Sequence, residues 1–196
     1  MRKLKNEELD RLSLEDYQNS PKLKVVIVLD NIRSMHNIGA AFRTSDAFRV
    51  QEILLTGISA TPPHREIHKT ALGATDSVKW SYWQETKEAL EALRSQGYEL
   101  LAIEQAEQSQ SLTDFQPIQD KSYAFIFGNE VFGVEEAAMQ MVDSTLEIPQ
   151  YGTKHSLNVS VSVGVVLWDF FSKARSNDLF SPDAQAGNIG SGQQSG

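Results

Sequence analysis

Two uninterrupted apolar runs, Val25-Val-Ile-Val-Leu29 and Tyr123-Ala-Phe-Ile-Phe127, set the first constraint on how this chain folds. A strand with one wet face alternates apolar and polar residues. These runs do not alternate, so both of their faces must be covered. That requirement places them in a mostly parallel sheet with helices on both sides. Residues 52–56, 78–83, 98–103 and 145–148 read as further strands. Residues 85–96 read as a helix, with Ala89, Leu90, Ala92 and Leu93 at helical spacing and Gly97 at the C-terminal cap. Residues 7–19 and 135–142 also read as helices. Strands alternating with helices predict an α/β fold built on an open sheet.

Three polar segments punctuate this pattern. The first is Asp30-Asn-Ile-Arg-Ser-Met-His-Asn-Ile-Gly, leading into a helix with Ala40, Ala41, Phe42, Ala47 and Phe48. Asn37 falls at or just before the first turn of that helix, and Arg43 in the second. The second segment, Gly128-Asn-Glu130-x-x-Gly133, is a glycine-bracketed turn that sets Glu130 at the carboxyl end of a strand. The third runs from Ile148 through Pro149, Gly152, Ser156 and Asn158 into the apolar helix 159–171. Pro149 and Gly152 mark a loop, while Ser156 and Asn158 stand where the helix begins and would serve as caps. Ligands of open α/β sheets bind at the carboxyl ends of the strands, so all three segments deliver polar groups to one edge.

Composition excludes several alternatives. A chain of 196 residues suffices for one domain with a sizeable core. It contains no cysteine, which removes disulfide scaffolds, thiolate metal sites and cysteine nucleophiles. No apolar segment follows Met1-Arg-Lys-Leu-Lys, so no signal peptide is expected. The stretch 159–171 is too short to span a bilayer, and a cytoplasmic location without membrane contact is the expectation. The net charge of −8 runs against a nucleic-acid partner unless a basic surface is concentrated locally. Arg33 and Arg43 flank the first segment and Lys154 lies in the third. From Ser176 onward a Gly, Ser, Gln and Asn-rich tail is expected to be disordered. Its Gly187-Asn-Ile-Gly-Ser-Gly192 follows no strand, precedes no helix and lacks the lysine of a phosphate loop.

Two weaker constellations remain. His64 and His68 stand one helical turn apart, a spacing zinc accepts, but no third ligand accompanies them. A metal-dependent hydrolase is therefore the least favoured function, and no metal is expected. Trp80, Tyr82 and Trp83 offer faces on which bases could stack, although cross-strand or dimer core accounts for them better.

The pattern Asn37-x-Gly39-x-x-x-Arg43, Gly128-Asn-Glu130-x-x-Gly133 and Ile148-Pro-x-x-Gly152-x-x-x-Ser156-Leu-Asn158-Val-Ser160 resembles the three signature motifs of the SpoU (TrmH-like) family. That family belongs to the SPOUT superfamily of RNA methyltransferases. The motifs occur in the expected order and span roughly residues 24–175.

The resemblance implies a deep C-terminal trefoil knot, which periodicity cannot reveal and which most folds lack. Close backbone passage through such a knot would suit Gly128, Gly133 and Gly152. It implies S-adenosylmethionine as cofactor, its adenosine held largely by backbone groups. The matching positions are Gly128, Ile148, Gly152 and Leu157, with Ala102 or Ile103 at the end of the preceding strand. A Rossmann-type methyltransferase is disfavoured, because the turn after Leu29 contains no glycine. The implied substrate is RNA, with tRNA favoured over ribosomal RNA, methylated on a ribose 2′-hydroxyl. Arg43 matches the catalytic arginine. Its guanidinium keeps its proton up to a pH above roughly 12, so holding a phosphate and stabilising an alkoxide suit it better than acting as a base. Asn37, Ser156 and Asn158 would orient Arg43 and the ribose, and Glu130 would pair with Arg43 or anchor the second motif. Arg33, Arg43 and Lys154 are the candidate RNA contacts. A homodimer is implied, formed through the helices of the first and third motifs. A non-catalytic RNA-binding relative is the alternative, disfavoured because all five polar motif residues are present. The expected organisation is a helical extension over 1–22, a methyltransferase domain over 23–175 and a tail over 176–196.

Overall fold

In the computed structural model, residues 1–5, 8, 9 and 11–181 are described. The two apolar runs become β1 (Leu23–Asp30) and β6 (Ser122–Phe127), which pair in parallel at the middle of the sheet. Around them lie β2 (Val50–Thr56), β3 (Trp80–Trp83), β4 (Tyr98–Ile103), β5 (Gln110–Ser111) and β7 (Ser144–Glu147). The seven strands follow the order β3-β2-β1-β6-β4-β7-β5, and every pairing is parallel. All strands therefore end at one edge, with β6 inserted between β1 and β4.

Side chains alternate across the sheet and build two cores. On one face Val25, Ile27 and Leu29 join Tyr123, Phe125 and Phe127. This face is covered by α2 (Met35–Ala47), α3 (Arg65–Ala71) and α7 (Val159–Ser176). Phe170 of α7 lies 5.4 Å from Tyr123 and 5.6 Å from Phe125 between ring centroids, so it wedges the last helix onto the central strand. On the other face Val26, Val28, Ala124 and Ile126 meet Ala89, Leu90 and Leu93 of α5 (Thr86–Ser95). Gly97 ends that helix at φ +84°, as its spacing suggests.

Helix α3 seats on α2 only because residue 39 has no side chain. A Cβ on Gly39 would stand 2.0 Å from the Thr70 hydroxyl and 2.3 Å from the Ile67 carbonyl oxygen. The motif glycine is thus a helix-packing residue.

Several elements differ from expectation. The first helix, α1 (Leu14–Asn19), begins only at Ser13, whose hydroxyl accepts from the Asp16 N–H; residues 6, 7 and 10 of the expected extension lie outside the described residues. Helix α6 (Glu136–Met139) stops early because Asp143 is drawn to β4, donating its N–H to the Leu100 carbonyl and accepting from the Leu100 N–H. Helix α4 (Ala74–Ser77) and the two-residue β5 have no clear periodic signature. Beyond α7, Leu179 and Phe180 pack on the first core, and Phe180 sits 5.9 Å from Phe171. The expected disorder of residues 182–196 lies outside the described residues.

Candidate active site

A cavity of about 520 Å³ opens at the carboxyl edge of β4, β6 and β7. Ile103, Gly128, Glu130, Ile148, Ser156 and Leu157 line it, together with Glu104, Phe132 and Asn158. Its polar residues come chiefly from the second and third segments singled out in the sequence, and the first segment meets them at the cavity mouth through Asn37.

The second segment is a tightly braced turn. Asn129 and Gly133 exchange backbone hydrogen bonds, each of 2.9 Å. The Asn129 side chain accepts from the Val131 and Phe132 N–H groups at 2.9 and 3.3 Å and donates to the Asn31 carbonyl at 2.7 Å. A Cβ on Gly128 would fall 2.0 Å from the carbonyl carbon of Gly133 and the nitrogen of Val134. Gly128 is therefore demanded by the return of its own turn, and the other side of the turn is held by Glu104, which accepts from the Val134 N–H at 3.2 Å. Asp30, fully buried at the end of β1, accepts from the Glu135 N–H at 2.8 Å and the Thr86 hydroxyl at 2.6 Å.

This bracing aims Glu130 at the start of α2. Its carboxylate accepts from the Arg33 N–H, the Ser34 N–H and the Asn37 amide, all at 3.1 Å. Partial burial pushes the Glu130 carboxyl up. The N–H groups of Arg33 and of Glu130 itself, the Asn37 amide and the Ser34 N–H outweigh it and hold the group below the usual carboxylate range. Glu130 therefore holds the first segment, and it has no bond to Arg43 among the described residues. It sits at the amino end of a helix, where negative charge is favoured.

The third segment completes a chain of amides. Asn158 caps α7 by accepting from the Ser160 N–H at 2.9 Å, and its own amide donates to the Asn37 side-chain oxygen at 3.1 Å. Asn158, Asn37 and Glu130 thus form one hydrogen-bonded series across three motifs. Capping and site-building are combined in Asn158.

The remaining motif residues are dispersed. Ile103, Ile148 and Leu157 line the cavity, whereas the Ala102 side chain is buried in the second core. Gly152 is exposed, lines no wall of the cavity, and a Cβ there would meet nothing within 4 Å, so no close chain passage occurs at that position. Lys154 is exposed outside the cavity lining. Arg33 contributes its backbone N–H and leaves its side chain exposed. Arg43 is exposed on the third turn of α2, its side chain makes no hydrogen bond or ion pair among the described residues, and it does not line the cavity of its own chain. Asp30 and Glu104 are site-building residues that the sequence does not single out, while Asn129 stands in the second motif without an expected role. Only Asp30 carries a signal, a lone carboxylate closing an apolar run.

The cavity falls within the ~300–1,000 Å³ range of small-molecule sites. Apolar Ile148 and Leu157 beside the backbone of Gly128 suit a nucleoside group, so the residues present fit an adenosyl cofactor. Among the described residues no three His, Asp or Glu side chains converge as metal ligands.

An open parallel α/β domain with a nucleoside-sized cavity at the carboxyl edge of its strands is the class that fold and site define. Within that class the chain belongs to the SpoU rRNA Methylase family, whose model matches residues 24–168. It is 29% identical over 159 residues to the 23S rRNA (guanosine-2′-O-)-methyltransferase RlmB of Neisseria meningitidis, covering 81% of this chain and 62% of that protein. It is 30% identical over 166 residues to the tRNA (guanosine(18)-2′-O)-methyltransferase of Thermus thermophilus, covering 83% and 81%. The fold is similar to that of the SpoU methyltransferase AviRb from Streptomyces viridochromogenes, solved in complex with the cofactor AdoMet, with a TM-score of 0.70 at 22% identity over 80% of this chain and 62% of that one. The chain thus spans less than two thirds of the length of the first of these relatives.

Proposed function

We propose that this protein transfers a methyl group from S-adenosylmethionine to a ribose 2′-hydroxyl of RNA, with tRNA favoured over ribosomal RNA. The Asn158–Asn37–Glu130 series at the mouth of a nucleoside-sized cavity carries this reading. When bound, the cofactor would supply an electrophilic methyl group to the ribose 2′-oxygen, with the thioether S-adenosylhomocysteine as leaving group and the hydroxyl proton passing to solvent. Backbone groups of Gly128, Ile148 and Leu157 would hold the adenosine, while Asn37, Ser156 and Asn158 would position the ribose. Arg43 grips the adjacent phosphate and stabilises the developing alkoxide.

Arg43 lies outside the cavity of its own chain, and a homodimer resolves this by bringing the arginine of one copy to the cavity of the other. An exposed apolar face supports it: Val161, Val165 and Trp168 of α7 are exposed, the last at 61%, and Trp168 lies 6.2 Å from Phe48 at the end of α2. The deep knot belongs to the same proposal, and the sheet order with β6 between β1 and β4 is compatible with it. An RNA substrate goes with a cytoplasmic location, and no helix among the described residues is long and apolar enough to cross a membrane.

Arg43→Ala tests the reading. Methyl incorporation into total RNA should fall at least ~100-fold while calorimetric affinity for S-adenosylmethionine stays within about twofold. Transfer at close to the wild-type rate would move catalysis elsewhere. A wild-type protein that binds cofactor and RNA yet transfers nothing would favour the non-catalytic relative. Mapping the ribose methylations lost on gene deletion decides between tRNA and ribosomal RNA.

A further inference from the structure

His64, His68 and Trp80, which the sequence offers as unrelated features, converge on a second cavity of about 460 Å³. It lies between α3, α4 and the edge strand β3, and Pro62, Arg65 and Asp76 also line it. Trp80 is partly buried, its ring anchored on the first core. The His64 Nδ1 accepts from the Glu66 N–H at 3.2 Å, which leaves the proton of the neutral ring on Nε2 as a donor.

Two exposed side chains of opposite charge border this cavity. Arg65 and Asp76 line the same cavity, yet neither forms an ion pair among the described residues. Their neighbours are paired, Lys69 with Glu66 at 2.7 Å and Lys79 with Glu52 at 2.8 Å. An arginine and an aspartate bordering one cavity suit a ligand with an anionic part and an N–H-bearing part. A bare phosphate would satisfy Arg65 and meet repulsion at Asp76. A nucleotide carries both parts, together with a flat face for Trp80.

The cavity is also rigidly tied to the active-site helix. Glu66 bonds His36 at 2.9 Å, the Thr70 hydroxyl donates to the His36 carbonyl at 3.1 Å, and Gly39 lets the two helices touch. A group held on α3 is thereby fixed relative to Asn37 and Arg43 on α2.

We propose that this cavity binds one unpaired nucleotide of the RNA substrate, its base stacked on Trp80, an amine-bearing base edge at Asp76 and its phosphate on Arg65. The proposal rests on the RNA-methyltransferase reading above. The site selects which RNA is presented and takes no part in the transfer.

The test uses the full chain, with Trp80→Leu and Arg65→Ala assayed on RNA from cells lacking the gene. Trp80→Leu should raise KM for RNA roughly 5- to 100-fold, the range for losing one base–aromatic stack. Arg65→Ala should raise it less and reduce the salt dependence by about one phosphate contact. In both, kcat and the dissociation constant for S-adenosylmethionine should stay within about twofold, and photocrosslinked RNA should map to the peptide containing Trp80. Arg65 is exposed, so its variant remains informative if Trp80→Leu fails to fold. Unchanged KM in the folded variants without a crosslink at Trp80 would overturn the nucleotide site and leave the methyltransferase standing. A KM effect at Arg65 with none in folded Trp80→Leu would reduce the site to a surface phosphate contact and overturn it too. A wild-type protein that methylates no RNA would instead sink the functional reading on which the site depends.

Discussion

The two loops around the main cavity are built on opposite terms. In the turn from Gly128 to Glu135 the backbone is pinned from three directions, by Asn129 within, Glu104 at one flank and Asp30 beneath. In the loop 149–157, residues 151–157 are all exposed, Tyr151 almost fully so at 98%, and the side-chain bond reaching it comes from the Gln105 amide to the His155 carbonyl. The contrast separates two tasks. Under the proposed function, Glu130 is aimed before substrate arrives, so its turn is over-determined, and the opposite wall admits a cofactor, so it is left with few bonds to break.

The largest effect should come from forcing the braced side apart. Gly128→Val overlaps the backbone of its own turn, and calorimetry should find cofactor binding abolished. Normal affinity would show that the turn tolerates rearrangement and would erase the contrast. Next, Glu130→Ala should lower methyl transfer by ~100-fold through loss of the carboxylate that aligns Asn37 and the start of α2. Because its pKa is depressed, the stabilisation from Glu130 is complete above the unfolded value near ~4.3 and disappears as pH falls through the lower folded value. The wild type and Glu130→Gln should therefore show the same inflections in their pH–rate profiles between about pH 5 and 8; an inflection present only in the wild type would contradict a permanently ionised anchor.

Smaller effects are expected at the margin of the open loop. Asn158→Ala removes the cap of α7 at about 1 kcal/mol, which should lower Tm by ~2–4 °C and weaken transfer more than cofactor binding. Gly152→Val should be the mildest change, with cofactor affinity within about twofold, since its Cβ enters open space. A large loss there would mean that the loop closes on the cofactor and that residue 152 joins the wall only in the bound state.

The sheet was legible because burial on both faces leaves a local mark, an apolar run without alternation, in Val25–Leu29 and Tyr123–Phe127. The first turn of α2 and the cap of α7 were legible for the same reason: Asn37 and Asn158 sit beside the segments they serve. What escaped depends on partners distant in sequence. Nothing near Asp30 announces that the N–H of a residue 105 positions later will meet it. The strand β5 exists only through its pairing with Leu146 and Glu147. Gly39 and Gly128 were recognised by motif, while their physical reasons, a helix contact and a turn closure, required coordinates. Arg43 was found by motif alone, and its placement away from its own cavity follows from no local rule.

The bond between Asn158 and Asn37 joins residues 121 positions apart, and Glu130 meets Asn37 across 93. During synthesis, β1 and α2 leave the ribosome long before either partner exists. Asn37 then has neither its anchor nor its relay, and the cavity lacks the wall that Ser156 and Leu157 supply. Contacts of such long range form late. A chain in which α7 has not yet been made thus has no partial version of this site, and the hydrogen-bonded series first closes when α7 has docked. Under the proposed function, RNA modification would begin only once the third segment and α7 have emerged and folded onto the first.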